Sequence, residues 1–175
     1  MLGYAVLLHF VGDYLIQTNW MANEKVKRWV PAVAHGVTYT LPFLLLTRSI
    51  PALLVICLTH IVIDHYRLAK HFIWAKNLLS PRERVGWIAE WDGVDKTYET
   101  KYDSLDSRMM RPIHKEMSTA PPWAKPIYKP QPSWAEAKEN GGFAKSTPVW
   151  MATWLMIITD NVIHILINAA ALTWL

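Results

Sequence analysis

Histidine and aspartate residues recur inside the apolar parts of this sequence, where ionisable side chains are rare. In three apolar segments a histidine and an aspartate lie four residues apart, and a fourth segment contains a single histidine. The seven residues are His9, Asp13, His35, His60, Asp64, Asp160 and His164. Imidazole and carboxylate groups are ligands of zinc and other divalent metals, and an ionisable side chain at bilayer depth costs about 2.5–3.5 kcal/mol or more. The pattern therefore predicts a buried polar site of metal-binding chemistry.

The segments that contain these residues are apolar enough to suggest membrane helices. The 175-residue chain is 52% hydrophobic, and residues 2–20, 31–47, 51–66 and 149–175 contain no Lys, Arg or Glu. A helix needs about 20 apolar residues to cross a bilayer, with about 17 as the lower end. The sequence therefore predicts an all-α membrane protein, a bundle of four transmembrane helices. The predicted helices are 2–22, 31–47, 51–73 and 148–174.

A long polar insert separates the third predicted helix from the fourth. The expected organisation is residues 1–73 for helices one to three, a Pro/Trp-rich insert over 74–147, and residues 148–175 for helix four, all in one membrane domain. Within the insert, Ser80, Pro81 and the acid that follows them predict a short helix that ends near residue 91. Residues 94–102 alternate weakly, as in a hairpin arm, and the prolines of 121–133 predict an extended strap.

Positive charges predict the orientation of the bundle. Lys25, Lys27 and Arg28 follow the first helix, whereas Arg48 alone separates the second from the third, and further bases follow the third. The positive-inside rule then places the insert in the cytoplasm and both termini outside, in a multi-pass protein of the bacterial inner membrane. The net charge of +4 suits contact with lipid headgroups. No nucleic acid is expected, because acids are interleaved with the bases of the insert.

The helical spacing predicts that the polar residues meet. Residues four apart share one helix face, so each His/Asp pair forms a stripe, which Gln17, Arg67 and Asn168 extend on their respective helices. Lipid offers such stripes no partner, and their expected depths in the bilayer are similar, so they should converge on the bundle axis. The three added residues are expected to orient the ligands.

Seven candidate ligands exceed the four of one tetrahedral zinc. Two ions with bridging carboxylates would use them all, and a single ion with aspartates that orient the histidines would use fewer. Zinc is the first candidate, with manganese and iron as alternatives. Two readings without a metal stay open at this point. The groups could relay protons or ions, or they could form a structural network in which Asp64 pairs with Arg67.

The segment His9-Phe10-Val11-Gly12-Asp13-Tyr14-Leu15-Ile16-Gln17, followed by Asn19-Trp20-Met21 and Lys25, resembles the opening of a family of small bacterial and phage membrane proteins. That family is catalogued as domain of unknown function 3307. His35, the stretch 60–64 and the stretch 160–164 are similar to its later pattern, although Asn161 stands where the family would have Gln and the insert is long. The activity of the family is not established, so the resemblance bears on the site residues rather than on a reaction.

The favoured functional expectation is a metal-dependent membrane hydrolase. A bound metal lowers the pKa of a water molecule to about 7, and Asp13 or Asp64 could act as the catalytic general base. The expected substrate is a lipid, a lipid-linked molecule or a membrane peptide, with Arg82, Arg84, Arg108 and Arg111 of the insert available for an anionic headgroup. One alternative is an ion or proton transporter or channel component. Another is a membrane scaffold that binds a protein partner through residues 74–147.

Overall fold

The computed structural model describes residues 2–82, 84–91, 94–99 and 124–175. These residues are mostly helical, so the predicted helical fold class is confirmed. The chain divides into two compact units. The first combines Met1–Leu78 with Pro132–Leu175 and contains the helices, and the second is Leu79–Gln131. Residues 74–78 and 132–147 of the predicted insert thus lie in the helical unit.

The first predicted helix, 2–22, is broken. It consists of α1 (Leu2–Phe10), a π-helical segment (Val11–Ile16) and α2 (Asn19–Glu24). Gln17 adopts an extended conformation, and the side chain of Thr18 caps α2 by accepting a hydrogen bond from the backbone N–H of Met21. A threonine cap satisfies a free N–H group at a new helix start, which explains why the chain restarts its helix there.

The second and third predicted helices also change course. Helix α3 (Trp29–Thr40) tightens into a 3₁₀ segment (Leu41–Leu45), in which Pro42 lies in the first turn. Helix α4 (Ile50–Tyr66) ends at Arg67, whose φ of 51° is left-handed, and α5 (Leu68–Leu78) follows at an angle of 70°. The prediction of one continuous helix over 51–73 was therefore wrong. The left-handed conformation costs a non-glycine residue on the order of 1–3 kcal/mol.

The remaining helices follow the sheet unit in the chain. Helix α6 (Trp134–Ala137) passes into a 3₁₀ turn (Lys138–Asn140), which ends at Gly141 with a φ of 63°. Glycine adopts this left-handed conformation without a steric penalty. The last helix, α7 (Val149–Trp174), has 26 residues and matches the predicted fourth helix closely.

The unit Leu79–Gln131 contains an antiparallel sheet of three strands in the order β2-β1-β3. Its strands are β1 (Arg84–Trp91), β2 (Val94–Glu99) and β3 (Lys125–Tyr128). The predicted short helix that ends near residue 91 was wrong, because the valine, isoleucine and tryptophans of 84–91 favour a strand. The hairpin arm is confirmed as far as Glu99; residues 100–102, and 121–123 of the strap, lie outside the described residues. Pro126 is tolerated in β3 because β3 is an edge strand.

Helix lengths do not support four complete membrane spans. Among the described helices, α7 is long and apolar enough to cross a bilayer, and α4 with α5 would be a second such span only if the bent pair is counted as one. Gly3–Ile16 is a shorter apolar helix. The prediction of four spans, and of a multi-pass placement, assumed that each apolar segment of the sequence forms one continuous helix of the same length. The breaks at Gln17 and Arg67 and the tightening at Leu41 interrupt three of the four segments.

Close helix packing depends on glycines. A Cβ atom at Gly36 of α3 would collide with the Ile61 side chain of α4 and lie 3.3 Å from the Cys57 carbonyl oxygen. A Cβ atom at Gly12 would collide with the ring of Tyr39. These glycines therefore let α3 approach α4 and the π-helical segment approach α3.

We expect Gly36→Ala to lower the free energy of unfolding by about 1–3 kcal/mol, because overpacking a close contact forces the helices apart. Thermal unfolding of the purified protein measures this effect. Gly3→Ala is the matched control, since nothing lies within 4 Å of its Cβ position. Equal stability of the two variants would contradict the tight α3–α4 contact.

Candidate metal centre

Four side chains from three helical segments meet at the centre of the helical unit. Asp13 comes from the π-helical segment, His35 from α3, and His60 and Asp64 from α4. Each offers one ligand atom, and these atoms all lie within 4.8 Å of one another. His35, His60 and Asp64 are buried, and the side chain of Asp13 is 12% exposed. A π-helical turn often occurs at a functional site, and here it contains Asp13.

Five of the six distances between the ligand atoms of this cluster match the edges of a tetrahedron. The Nε2 atoms of His35 and His60 are 3.0 Å apart. Asp13 Oδ1 lies 3.2 Å from the Nε2 of His35 and 3.3 Å from that of His60. Asp64 Oδ2 lies 3.3 and 3.2 Å from the same two nitrogens. Metal–ligand bonds of about 2.0–2.1 Å in a tetrahedral zinc site place ligand atoms about 3.3 Å apart. The four residues therefore fit one zinc-sized ion.

Asp64 also belongs to a second group of candidate ligands. Its Oδ1 atom lies 3.4 Å from His164 Nε2, and Asp160 Oδ2 lies 3.7 Å from the same nitrogen. Asp64, Asp160 and His164 form the second group that could hold a metal ion. One oxygen of Asp64 thus faces each group, which is how a bridging carboxylate serves two ions.

Several buried polar atoms of these groups lack a partner. Among the described residues, Asp13 Oδ1, His164 Nε2 and the Nδ1 atoms of His35 and His60 make no hydrogen bond. A buried polar atom left unpaired costs about 1–3 kcal/mol. Asp13 Oδ1 belongs to the first group and His164 Nε2 to the second, so a cation in each group would satisfy them.

His9 stands beside the first group, with its Nδ1 atom 3.5 Å from Asp13 Oδ2, and also takes part in a hydrogen-bond network with α7. Its Nε2 donates to Asn161 Oδ1 at 2.9 Å, and its Nδ1 lies 2.8 Å from the Tyr39 hydroxyl. That hydroxyl also accepts a 2.6 Å hydrogen bond from Asn168 Nδ2. The ring of Tyr39 stacks on His60 at 3.6 Å. Tyr39 therefore fixes the orientation of a candidate ligand, and Asn168 in turn holds Tyr39.

A lysine contacts the shared carboxylate. Lys25 Nζ donates to Asp64 Oδ2 at 2.6 Å and to Gln17 Oε1 at 2.8 Å. The backbone carbonyl of Lys25 accepts a 2.7 Å hydrogen bond from His65 Nδ1, and the ring of His65 stacks on Trp29 at 3.9 Å. These contacts hold the loop after α2 against the end of α4, so that the ammonium group stays at Asp64.

The carboxylates line a cavity of about 210 Å³. Asp13, Asp64 and Asp160 contribute to its wall, together with Gln17 and Asn161. Three basic residues also line it, namely Lys25, Arg67 and Lys70. Arg67 is exposed, so the cavity reaches the protein surface at the point where α4 ends.

The structure brings together six of the seven predicted ligands in the two groups, and it places the seventh, His9, next to them with both ring nitrogens partnered. Among the residues predicted to orient ligands, Asn168 acts through Tyr39, and Gln17 contacts Lys25 instead. Arg67 lines the cavity and, within the described part of the chain, makes no ion pair with Asp64. The catalytic roles of Asp13 and Asp64 stay predictions.

Sequence reasoning missed the roles of Lys25, Tyr39 and His65. Tyr39 lies four residues after His35, so the same helical spacing that related the other pairs could have related these two. Lys25 had no such signal, because its contact with Asp64 depends on the break at Gln17 and on the path of the following loop.

Fold and site together define a mostly helical protein with a buried His/Asp centre that could hold metal. Residues 1–82 match the family model described as "Protein of unknown function (DUF3307)", so the resemblance drawn from the sequence is confirmed over this part of the chain. The match includes four of the candidate ligands in the two groups, and Asp160 and His164 lie beyond it. Comparisons with curated proteins and with solved structures gave no match.

We expect Tyr39→Phe to reduce the free energy of unfolding by about 1–3 kcal/mol, because it leaves the buried amide of Asn168 without its acceptor. Denaturant unfolding measures the change. The control is Tyr4→Phe, which alters a hydroxyl on a 66% exposed side chain. If Tyr39→Phe unfolds like the control, the Tyr39 hydroxyl does not support the centre.

Proposed function

We propose that this protein is a metal-dependent hydrolase whose centre holds two divalent ions, with zinc the first candidate and manganese or iron as alternatives. The observation that carries the proposal is the arrangement of Asp64 between two groups of candidate ligands. His35, His60, Asp13 and Asp64 would hold the first ion, and Asp64, Asp160 and His164 the second. His9 would orient neighbouring groups through Tyr39 and Asn161.

A metal at this centre would supply a water molecule with a pKa of about 7 and polarise a substrate oxygen. The side chains around the cavity supply the remaining functions. Asp13 and Asp64 are the candidate general bases, because both line the cavity that a substrate would enter. Lys25 places an ammonium group against Asp64, where it can hold or donate a proton.

The proposed substrate is a lipid or lipid-linked molecule, with a membrane peptide as the alternative, because the outer faces of the helices are apolar. Leu45 is 82% exposed and Leu166 64%, and only 17% of the most apolar stretch of α7 is buried. Soluble proteins rarely expose apolar surface so continuously. We therefore propose that the helical unit lies in the bacterial inner membrane. Helix α4, with 17 residues, is at the lower limit of about 17–25 residues for a span.

The core on the far side of Tyr39 favours an enzyme over a transporter. There, Ala5, Phe43, Ala52, Ile56 and Ala171 form an apolar cluster with Tyr39. Within the described residues, the polar network ends at Tyr39 and Asn168, whereas ion transport needs a polar path to both faces. This supports a site that is reached from one side only.

The insert stays a candidate for headgroup or partner binding. Arg82 and Arg84, two of the four arginines predicted to hold a headgroup, belong to the unit Leu79–Gln131. The other two, Arg108 and Arg111, lie outside the described residues. The proposal for the metal centre does not depend on any of them.

Metal content of the purified protein tests the proposal. We expect two ions per chain in the wild type, one in Asp160→Ala and in His164→Ala, one in His35→Ala and in His60→Ala, and none held tightly in Asp64→Ala. The reason is that Asp64 alone belongs to both groups. Elemental analysis after equilibration with zinc, followed by gel filtration, gives the counts.

His71→Ala is the matched control, since His71 is exposed and stacks on Trp134 away from the centre. It should retain the wild-type metal content. A wild-type protein without zinc, manganese or iron, with none taken up on addition, would refute the metal centre. Ion flux in liposomes that survives chelation and disappears in Asp64→Asn would favour transport instead.

A further inference from the structure

We infer that the cavity beside the metal centre binds a phosphate group, so that the substrate is a phosphate ester or a diphosphate. This inference rests on the proposed function and narrows its substrate class. It comes from the basic residues of the cavity wall, which the metal-binding role does not explain.

Charge around the cavity is balanced before any metal enters. Three carboxylates and three basic side chains line it, so with neutral histidines their formal charges cancel. Each divalent ion then adds two net positive charges in a largely buried place, where charges are weakly screened. Such a site favours an anionic substrate over a neutral one. A neutral ester or peptide would leave that charge uncompensated, whereas a phosphate monoester or a diphosphate would balance it.

Arg67 is the clearest anion-binding candidate. It lines the cavity and is exposed, and in the described residues it has no carboxylate partner. Its left-handed backbone, with a φ of 51°, sets the bend between α4 and α5. The guanidinium group is a planar fork that binds phosphate through two parallel hydrogen bonds. Residues with strained backbone conformations occur preferentially at active sites and ligand-binding sites.

Lys25 provides a second cation at the depth of the ligands. Its ammonium group lies 2.6 Å from Asp64 Oδ2, and its side chain is 17% exposed. Gln17 and the His65–Trp29 pair hold it in place. A phosphate above Asp64 would therefore meet Lys25 on one side and Arg67 at the mouth.

Helix α5 adds to the same field. Ala69 and Lys70, in its first turn, line the cavity, and the positive end of a helix dipole attracts phosphate. Lys70 Nζ donates to the Lys138 carbonyl at 3.2 Å. Lys70 therefore contributes positive charge to the cavity wall, and the proposal assigns it no direct hydrogen bond to the phosphate. The volume of about 210 Å³ is below the ~300 Å³ lower end of pockets for drug-sized ligands. It suits a headgroup rather than a whole lipid.

The reaction would need only water as a second reactant. The water oxygen forms a bond to phosphorus, and the bond between phosphorus and the bridging oxygen breaks. One water proton passes to Asp13, whose Oδ2 atom faces His9 rather than the imidazoles of the first group, and the leaving oxygen takes up a proton from water in the cavity. The products are an alcohol, or a shorter phosphate, and inorganic phosphate.

Calorimetric titration of the zinc-loaded protein with inorganic pyrophosphate tests the inference. We expect binding by the wild type and a loss of affinity of about tenfold or more in Arg67→Gln, because a charge-assisted contact is removed. Arg67→Lys should restore part of the affinity. Arg67→Gly should bind as weakly as Arg67→Gln while folding at least as well, since glycine relaxes the left-handed backbone.

Arg48→Gln is the matched control, because it removes the same charge at the opposite end of α4, about 25 Å away. It should bind pyrophosphate as the wild type does. Metal content is measured on the same samples. Bound zinc without pyrophosphate binding, or an affinity for pyrophosphate in Arg67→Gln and Arg67→Gly equal to that of the wild type, overturns the phosphate inference alone. A protein that holds no metal overturns it together with the proposed function.

Competition identifies the source of the phosphate. Displacement of pyrophosphate by phosphatidylcholine vesicles that contain phosphatidic acid, but not by pure phosphatidylcholine vesicles, assigns the site to a lipid headgroup. Displacement by glycerol 3-phosphate, with no effect of either vesicle, assigns it to a soluble phosphate ester. Both results support a phosphate site.

Discussion

Two buried imidazoles, one buried carboxylate and one partly buried carboxylate face one another across about 3 Å, and the helical unit depends on this arrangement. Asp13 and Asp64 come from different parts of the chain, and both approach the Nε2 atoms of His35 and His60. Separately, each carboxylate would be a costly charge in an apolar interior. Together they form a cage whose negative charge a cation can neutralise. Lys25 reaches one carboxylate, and its single charge leaves the cage short of neutrality.

Local features of several helical segments bring the four side chains of this cage together. Glycine at positions 12 and 36 lets neighbouring helices approach to within side-chain contact. The π-helical turn carries Asp13 towards α3 and α4. Tyr39 fills the space behind His60 and ties the cage to Asn168 on α7. The polar layer is therefore continuous with the packing of the helices, and a change in that packing would alter the spacing of the ligands.

The sequence was sufficient to predict which candidate ligands meet, but not the cavity beside them. Histidine and aspartate at helical spacing in apolar segments predicted the residues that meet, because i,i+4 geometry fixes a shared face and burial forces partners on it. The same pattern did not predict the breaks at Gln17 and Arg67. Neither position contains glycine or proline, and the apolar pattern continues beyond Arg67. From the sequence, Lys25 was expected only to help set the orientation of the protein in the membrane. The strand β1 was mistaken for a helix because helix-start residues precede it, and its pairing with β3 joins two distant parts of the sequence.

The two unpredicted breaks explain how a buried centre can be reached. The first lies four residues after Asp13 and the second three residues after Asp64, so both helices stop just beyond their ligands. Continuous helices would carry side chains across that space. Instead the chain turns away at both places, and the cavity occupies the gap beside α7. In a bilayer, irregular backbone is tolerated only where protein buries it or where it lines a water-filled cavity. Gln17 and Arg67, the residues at the two breaks, both line the cavity, and the exposed Arg67 marks the side on which it reaches the surface.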